Sequence, residues 1–105
     1  MDYIKLEKSG DDLRLIFLKT ELVFSSTSFI LEFLEKTIYS AGGGKVVLDL
    51  SNVNHIDSSA VGMFISLKNG MQKAGRDLYI DGVCENVLRI LNFLDITGFL
   101  NLNAA

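Results

Sequence analysis

The feature that most restricts the fold is the run Val46-Val47-Leu48-Asp49-Leu50, nearly continuous in apolar side chains and led by two β-branched valines. With Lys45 it reads as a central strand covered on both faces, because a half-exposed strand would alternate apolar and polar side chains. It passes through Ser51-Asn52-Val53-Asn54-His55-Ile56-Asp57 into Ser58-Ser59-Ala60-Val61-Gly62, where hydroxyl side chains open a helix. The unpaired N–H groups and positive dipole end of that helix would tolerate a negative group on Ser58 or Ser59. Chemistry, if the chain carries any, is expected at this junction.

Elements on either side complete an alternating pattern. Tyr3 to Lys8 and Asp12 to Phe17 each alternate with period two around the turn-prone Ser9-Gly10-Asp11, which predicts an antiparallel hairpin. Ser25-Ser26-Thr27-Ser28 offers N-caps for a helix with apolar residues at Ile30, Phe33, Leu34, Ile38 and Ala41, stopped by Gly42-Gly43-Gly44. A second helix has its stripe at Met63, Phe64, Leu67, Met71 and Ala74 and ends at Gly75. Asp77 to Asp81 then alternates as a strand, and Val83, Val87, Ile90, Leu91 and Leu94 mark a third helix. Gly98 and Phe99 belong to a short closing segment, and 101–105 is expected to be loose. The order strand, strand, helix, strand, helix, strand, helix predicts one α/β domain over residues 1–105, with a mixed four-stranded sheet and its later strands parallel.

Composition narrows the function classes. With 105 residues, 49% of them hydrophobic, and no proline, the chain can build a core, and it lacks the long uncharged apolar run of a membrane span. The N-terminal Met1-Asp2-Tyr3-Ile4-Lys5-Leu6-Glu7-Lys8 mixes charges among its apolar residues, unlike a signal peptide, so a cytoplasmic location is expected. The single cysteine, Cys84, excludes an internal disulfide and a thiolate-rich metal site, and it reads as a small buried apolar side chain. A net charge of −3 with scattered Lys and Arg argues against a surface that tracks nucleic-acid phosphates.

The plain reading of Asp57-Ser58-Ser59 is helix capping, in which short polar side chains accept bonds from the first free N–H groups. A hydrolase would need His55 to serve Ser58, yet three residues within a turn seldom bring a base and a nucleophile together. Gly42-Gly43-Gly44 precedes a strand, whereas a phosphate-binding glycine loop follows one and opens a helix, so no nucleotide cradle is evident. His55 reads as a loop residue, with only Asp49 and Asp57 near it in sequence; no metal or cofactor is expected.

Capping alone does not require the whole run from Leu48 to Gly62, and this run resembles the STAS domain. More narrowly it resembles the bacterial anti-sigma factor antagonists, whose pattern reads Asp-Leu-Ser, a spacer, then a hydrophobic residue and Asp-Ser-Ser-Gly-Leu-Gly opening a helix. Gly75, the strand Leu78 to Asp81 and Val87-Leu88-Arg89-Ile90-Leu91 fall where that family has its next turn, strand and helix. The resemblance implies a STAS-like α/β fold with a four-stranded or slightly larger mixed sheet and helices mainly on one face. It implies Ser58 as phosphoacceptor, with Asp57, Ser59, Ala60, Val61, Gly62 and Glu21 as its neighbours and the partner surface. The implied partners are an anti-sigma factor with serine kinase activity, held by the unmodified form and released on phosphorylation, and a PP2C-type phosphatase that restores binding. The antagonist itself is no enzyme, and a monomer or weak dimer is expected.

Two departures bear on this expectation. Ala60 and Val61 stand where the family usually has Gly and Leu, and Thr20-Glu21-Leu22-Val23 stands where it commonly reads Gly-Glu-Leu-Asp. Val23 replaces an acid associated with kinase recognition, a role in which Glu21 is the nearby substitute. The alternative is a non-catalytic STAS subunit of a transporter or signalling complex, docking through apolar residues such as Phe24, Phe29 or Val61 and not regulated by phosphorylation.

Overall fold

The computed structural model describes residues 3–40, 44–96, 98, 100 and 102–103, with the side chains of 24–29, 39–40 and 102–103 outside that description. The predicted hairpin forms from β1 (Ile4–Ser9) and β2 (Asp12–Phe17), in a register that sets Ile4 opposite Phe17 and Ser9 opposite Asp12. The predicted central strand is β4 (Val46–Asp49), and the strand near residue 80 is β6 (Leu78–Asp81). The sheet runs β1-β2-β4-β6 and gains a fifth strand, β7 (Leu102–Asn103), beside β6. Among the described residues of this sheet, the β1–β2 pairing alone is antiparallel and the later neighbours are parallel.

Burial along these strands shows which face carries the core. In-register rows Leu13–Val46–Leu78 and Leu15–Leu48–Ile80 are buried, together with Phe17. The alternate residues Arg14, Ile16, Val47, Tyr79 and Asp81 are only partly covered. The expectation that β4 is covered on both faces is thus corrected: one face packs on the core, and the other is a partly open surface. Valine-rich composition concealed this because Val47 points to the open side as readily as Val46 points to the core.

Among the described residues, three helices supply the other half of the core. α1 (Phe24–Ser40) contributes Ile30, Leu34 and Ile38, α2 (Ser58–Lys73) contributes Met63, Phe64, Leu67 and Met71, and α3 (Glu85–Phe93) contributes Val87 and Leu91. These positions recur at three- and four-residue spacing, as a helix facing one hydrophobic layer requires, and each fully buried Leu or Phe is worth about 1.5–3 kcal/mol of transfer free energy. α1 and α2 pack against each other and so share a layer over the core face of the sheet, while α3 packs against β5. The guanidinium of Arg76, just past α2, donates to the carbonyls of Ile38 and Gly44 at 2.7 and 3.1 Å and ties the end of α1 to the start of β4.

Three local expectations change. α1 begins at Phe24, so Ser25-Ser26-Thr27-Ser28 lies inside the helix and not ahead of it; the side chains concerned, with those of Phe24 and Phe29, lie outside the described residues, as do Ala41, Gly42, Gly43 and Phe99. Within 101–105, expected to be loose, Leu102–Asn103 pairs in parallel with Ile80–Asp81. A separate two-stranded parallel sheet joins β3 (Glu21–Leu22) to β5 (His55–Ile56), setting Glu21 opposite His55 and Leu22 opposite Ile56. Elements of two residues have no periodicity to read, and only the tertiary fold creates them.

Candidate functional site

The loop between β4 and α2 is held at several points. Asn54 and His55 N–H donate to the Thr20 carbonyl at 2.7 and 3.2 Å, and Asp57 N–H donates to the Leu22 carbonyl at 3.2 Å. The Asn52 side-chain amide donates to the Phe17 carbonyl at 3.1 Å, and the Cys84 thiol reaches the Val53 carbonyl at 3.2 Å. Val53 and Ile56 are buried beneath the loop. A loop pinned in this way presents its tip in one geometry, as a recognition surface on a rigid scaffold requires.

At the start of α2 the polar residues divide their duties. Asp57 is the N-cap: in extended backbone, its Oδ1 accepts from Ala60 N–H at 3.1 Å and from the Ser59 hydroxyl. Capping, the plain reading of the motif, therefore falls to Asp57 with Ser59 buttressing it. Ser58 is the first helical residue and is exposed. His55 is exposed on β5, and no described hydrogen bond joins it to Ser58.

The remaining predicted residues separate into surface and core. Gly62 is exposed, and a Cβ placed there would meet nothing within 4 Å, so this glycine does not serve packing. Ala60 is fully buried, whereas Val61, 7% exposed, keeps an edge at the surface: helical geometry turns both inward while Ser58 and Gly62 turn out. Glu21 is exposed and lies in register with His55, so the β3–β5 pairing brings this acid to the same end of the molecule as the Asp57-Ser58 turn.

The structure adds a region that the sequence pattern did not single out. Ile56, Asp57, Ser58 and Val61 form one wall of a groove of about 370 Å³, and Arg89, Ile90, Phe93 and Leu94 of α3 and its end form the other. Phe93 is 87% exposed and Leu94 45%. The available signal was that Phe93 lies off the stripe of Val87, Ile90, Leu91 and Leu94, where a helix with only one buried face has no use for an aromatic side chain.

A second polar cluster lies on the open face of the sheet. Asp49 Oδ2 accepts from Arg14 Nε and Nη2 at 3.1 and 2.8 Å, its Oδ1 accepts from Ser51 N–H and Oγ at 2.9 and 2.7 Å, and Arg14 Nη2 also donates to Asp81 at 2.8 Å. Burial pushes the Asp49 carboxyl up, but the bonds from Ser51 and Arg14 outweigh it and hold the group below the usual carboxylate range. The bonds to Asp81 and Asp49 raise Arg14 further above its ordinary value, so it stays charged. Gly82 has φ +72°, and a Cβ there would stand 3.0 Å from Asp49 Oδ1, so both backbone and space call for glycine beside this carboxylate. Among the described residues, no group of three or more His, Cys, Asp or Glu could hold a metal ion, and no helix is long and apolar enough to cross a membrane.

This arrangement, with a mixed sheet, a pinned loop and a capped helix start, agrees with a match of residues 3–104 to the STAS domain family model. The chain belongs to the STAS domain family. It is similar to an anti-sigma-B factor antagonist of Staphylococcus epidermidis, 34% identical over 61 residues that cover 58% of this chain and 54% of that protein. The chain thus spans about half the length of the curated relatives it matches. Its fold superposes on a Thermotoga maritima protein provisionally named an anti-sigma factor antagonist, with a TM-score of 0.83, 17% identity and coverage of 97% and 86% of the two chains. It likewise superposes on the Bacillus cell fate determinant SpoIIAA in its phosphorylated form, with a TM-score of 0.72, 14% identity and coverage of 97% and 90%. At these identities the two structures speak for the STAS fold alone. Within that fold, the Asp49-Leu50-Ser51 part of the motif is a structural clasp, and Asp57-Ser58-Ser59 caps a helix and leaves Ser58 exposed.

Proposed function

We propose that this STAS domain is a non-enzymatic, cytoplasmic anti-sigma factor antagonist whose grip on its partner is switched off by phosphorylation of Ser58. The observation that carries the reading is that Ser58 is exposed at the first position of α2 and borders an apolar groove, while Asp57 supplies the cap. The relatives named anti-sigma-B factor antagonist support the same role. The partner is an anti-sigma factor with serine kinase activity, which lays an apolar surface against the groove and its rim.

Phosphorylation transfers the γ-phosphoryl group of ATP to Ser58. A bond forms between Ser58 Oγ and the γ-phosphorus, the bond to the β–γ bridging oxygen breaks, ADP leaves, and the hydroxyl proton passes to a base of the kinase. The product adds about −1.5 to −2 charges next to Asp57 at the edge of an apolar contact. Charge and bulk then oppose the partner by about 1–3 kcal/mol, a roughly 5- to 150-fold loss of affinity without a change of fold. Hydrolysis by a PP2C-type phosphatase restores the hydroxyl.

The test is to incubate the protein with candidate anti-sigma kinases and ATP and to locate phosphate by mass spectrometry. Wild type gains one phosphate on Ser58, and Ser58→Ala gains none while its unfolding free energy stays within about 0.5 kcal/mol, as an exposed substitution should. Phosphate that persists in the alanine variant overturns the site. A chain that holds its partner in a complex but accepts no phosphate from any kinase supports the unregulated interaction subunit instead, a reading favoured by Val23 at the β3–α1 junction.

A further inference from the structure

Resting on that reading of Ser58, we infer that Arg89 captures the phosphate within the same chain and thereby closes the apolar groove to the partner. Arg89 and Ser58 border one groove of about 370 Å³ from opposite walls, and an arginine side chain is long enough to move its charged head while its stem stays on its own helix. The only ion pair described for Arg89 is to Glu85, one turn back on α3, at 3.6 Å, with the two side chains 70% and 88% exposed. An exposed pair of that kind is weak, because water screens it and holding two long side chains together costs entropy. Arg89 therefore gives up Glu85 readily for a stronger anion. A phosphoserine is one: it presents three acceptor oxygens with nearly two charges, and a planar guanidinium meets two of those oxygens with parallel N–H bonds.

The geometry has a consequence that repulsion alone does not. A guanidinium drawn over to Ser58 lies across the groove mouth, in front of Ile90 and Val61, and covers apolar surface that the partner would otherwise bury. In the unmodified chain the same side chain stays on its own helix and the groove is open. Arg89 is thus a positioning residue for the switched-off state. Asp57, beside Ser58, opposes the phosphate dianion, and Arg89 is the cation across the groove that favours it.

The experiment installs phosphoserine at position 58 during translation, without any kinase, and follows the second ionisation of the phosphate by 31P NMR titration. In wild type that ionisation is expected about half a unit lower than in Arg89→Gln, with Arg89→Lys between the two and the difference shrinking in 1 M salt. Lys8→Gln, which removes an exposed cation from the β1–β2 hairpin, is expected to match wild type. Equal values in wild type and Arg89→Gln, or an equal shift in Lys8→Gln, overturn the capture. Because no kinase takes part, that failure leaves the phosphoacceptor reading standing, and a failed kinase assay leaves the capture standing.

Discussion

The chain uses the same device twice, an Asp that accepts the hydroxyl of a Ser two residues on, and the two copies have opposite consequences. In Asp49-Leu50-Ser51 the residue between them is a leucine that is fully buried, and the second oxygen of Asp49 is taken by Arg14. In Asp57-Ser58-Ser59 the Asp caps a helix and the residue between is an exposed serine. The first copy ties β4 to β2 and β6 through a charged clasp; the second fixes a turn and leaves one hydroxyl facing out. An Asp-x-Ser motif thus reports local geometry, and the residue in its middle decides whether the site is structural or available for chemistry.

The sharpest way to break this contrast is to remove each aspartate. Asp49→Ala strips Ser51 of its acceptor and Arg14 of one of its two carboxylates, and it is expected to cost about 1–3 kcal/mol in urea or thermal unfolding. Its effect should also depend on pH. Asp49 is held below its ordinary range when folded, so its contribution is fully present above the unfolded-state value and is lost as pH falls through the folded one. Wild type should therefore lose more stability than Asp49→Ala on acidification below about pH 4. Parallel curves for the two proteins would show that the clasp contributes nothing to folding.

Asp57→Ala removes only a cap and is expected to cost less, about 1 kcal/mol. It should also loosen the turn that presents Ser58, so that the rate of phosphate transfer to Ser58 falls more than the loss of stability accounts for. A cost as large as that of Asp49→Ala would mean that the second copy of the device is structural after all.

How much of this was legible in the sequence depended on the length of each element. The hairpin, the central strand and the stripe of α2 were readable because their periods repeat several times, as Leu13, Leu15 and Phe17 or Phe64, Leu67 and Met71 show. β3, β5 and β7 were not, since two residues carry no period and exist only where a neighbour offers backbone partners. At the site, the Asp57-Ser58 turn was visible as a motif, but the division of labour within it was not: nothing in Asp-Ser-Ser says which residue caps. The α3 wall of the groove was the least visible part, because Arg89 and Phe93 come close to Ser58 only through the fold.

Gly62 offers the smallest and most discriminating change. It sits inside α2, exposed, with open space where a Cβ would go, so Gly62→Ala has no steric cost in the isolated domain. Alanine restricts the unfolded chain and is the better helix former, so the variant is expected to gain about 0.5–1 kcal/mol of stability. If the glycine is there to let a partner's backbone approach the helix one turn beyond Ser58, the same methyl group weakens partner binding in a calorimetric titration. A more stable protein that binds less well would place Gly62 with the outward-facing half of the comparison. Equal binding with the stability gain would leave Ser58 and the groove as the whole of the contact.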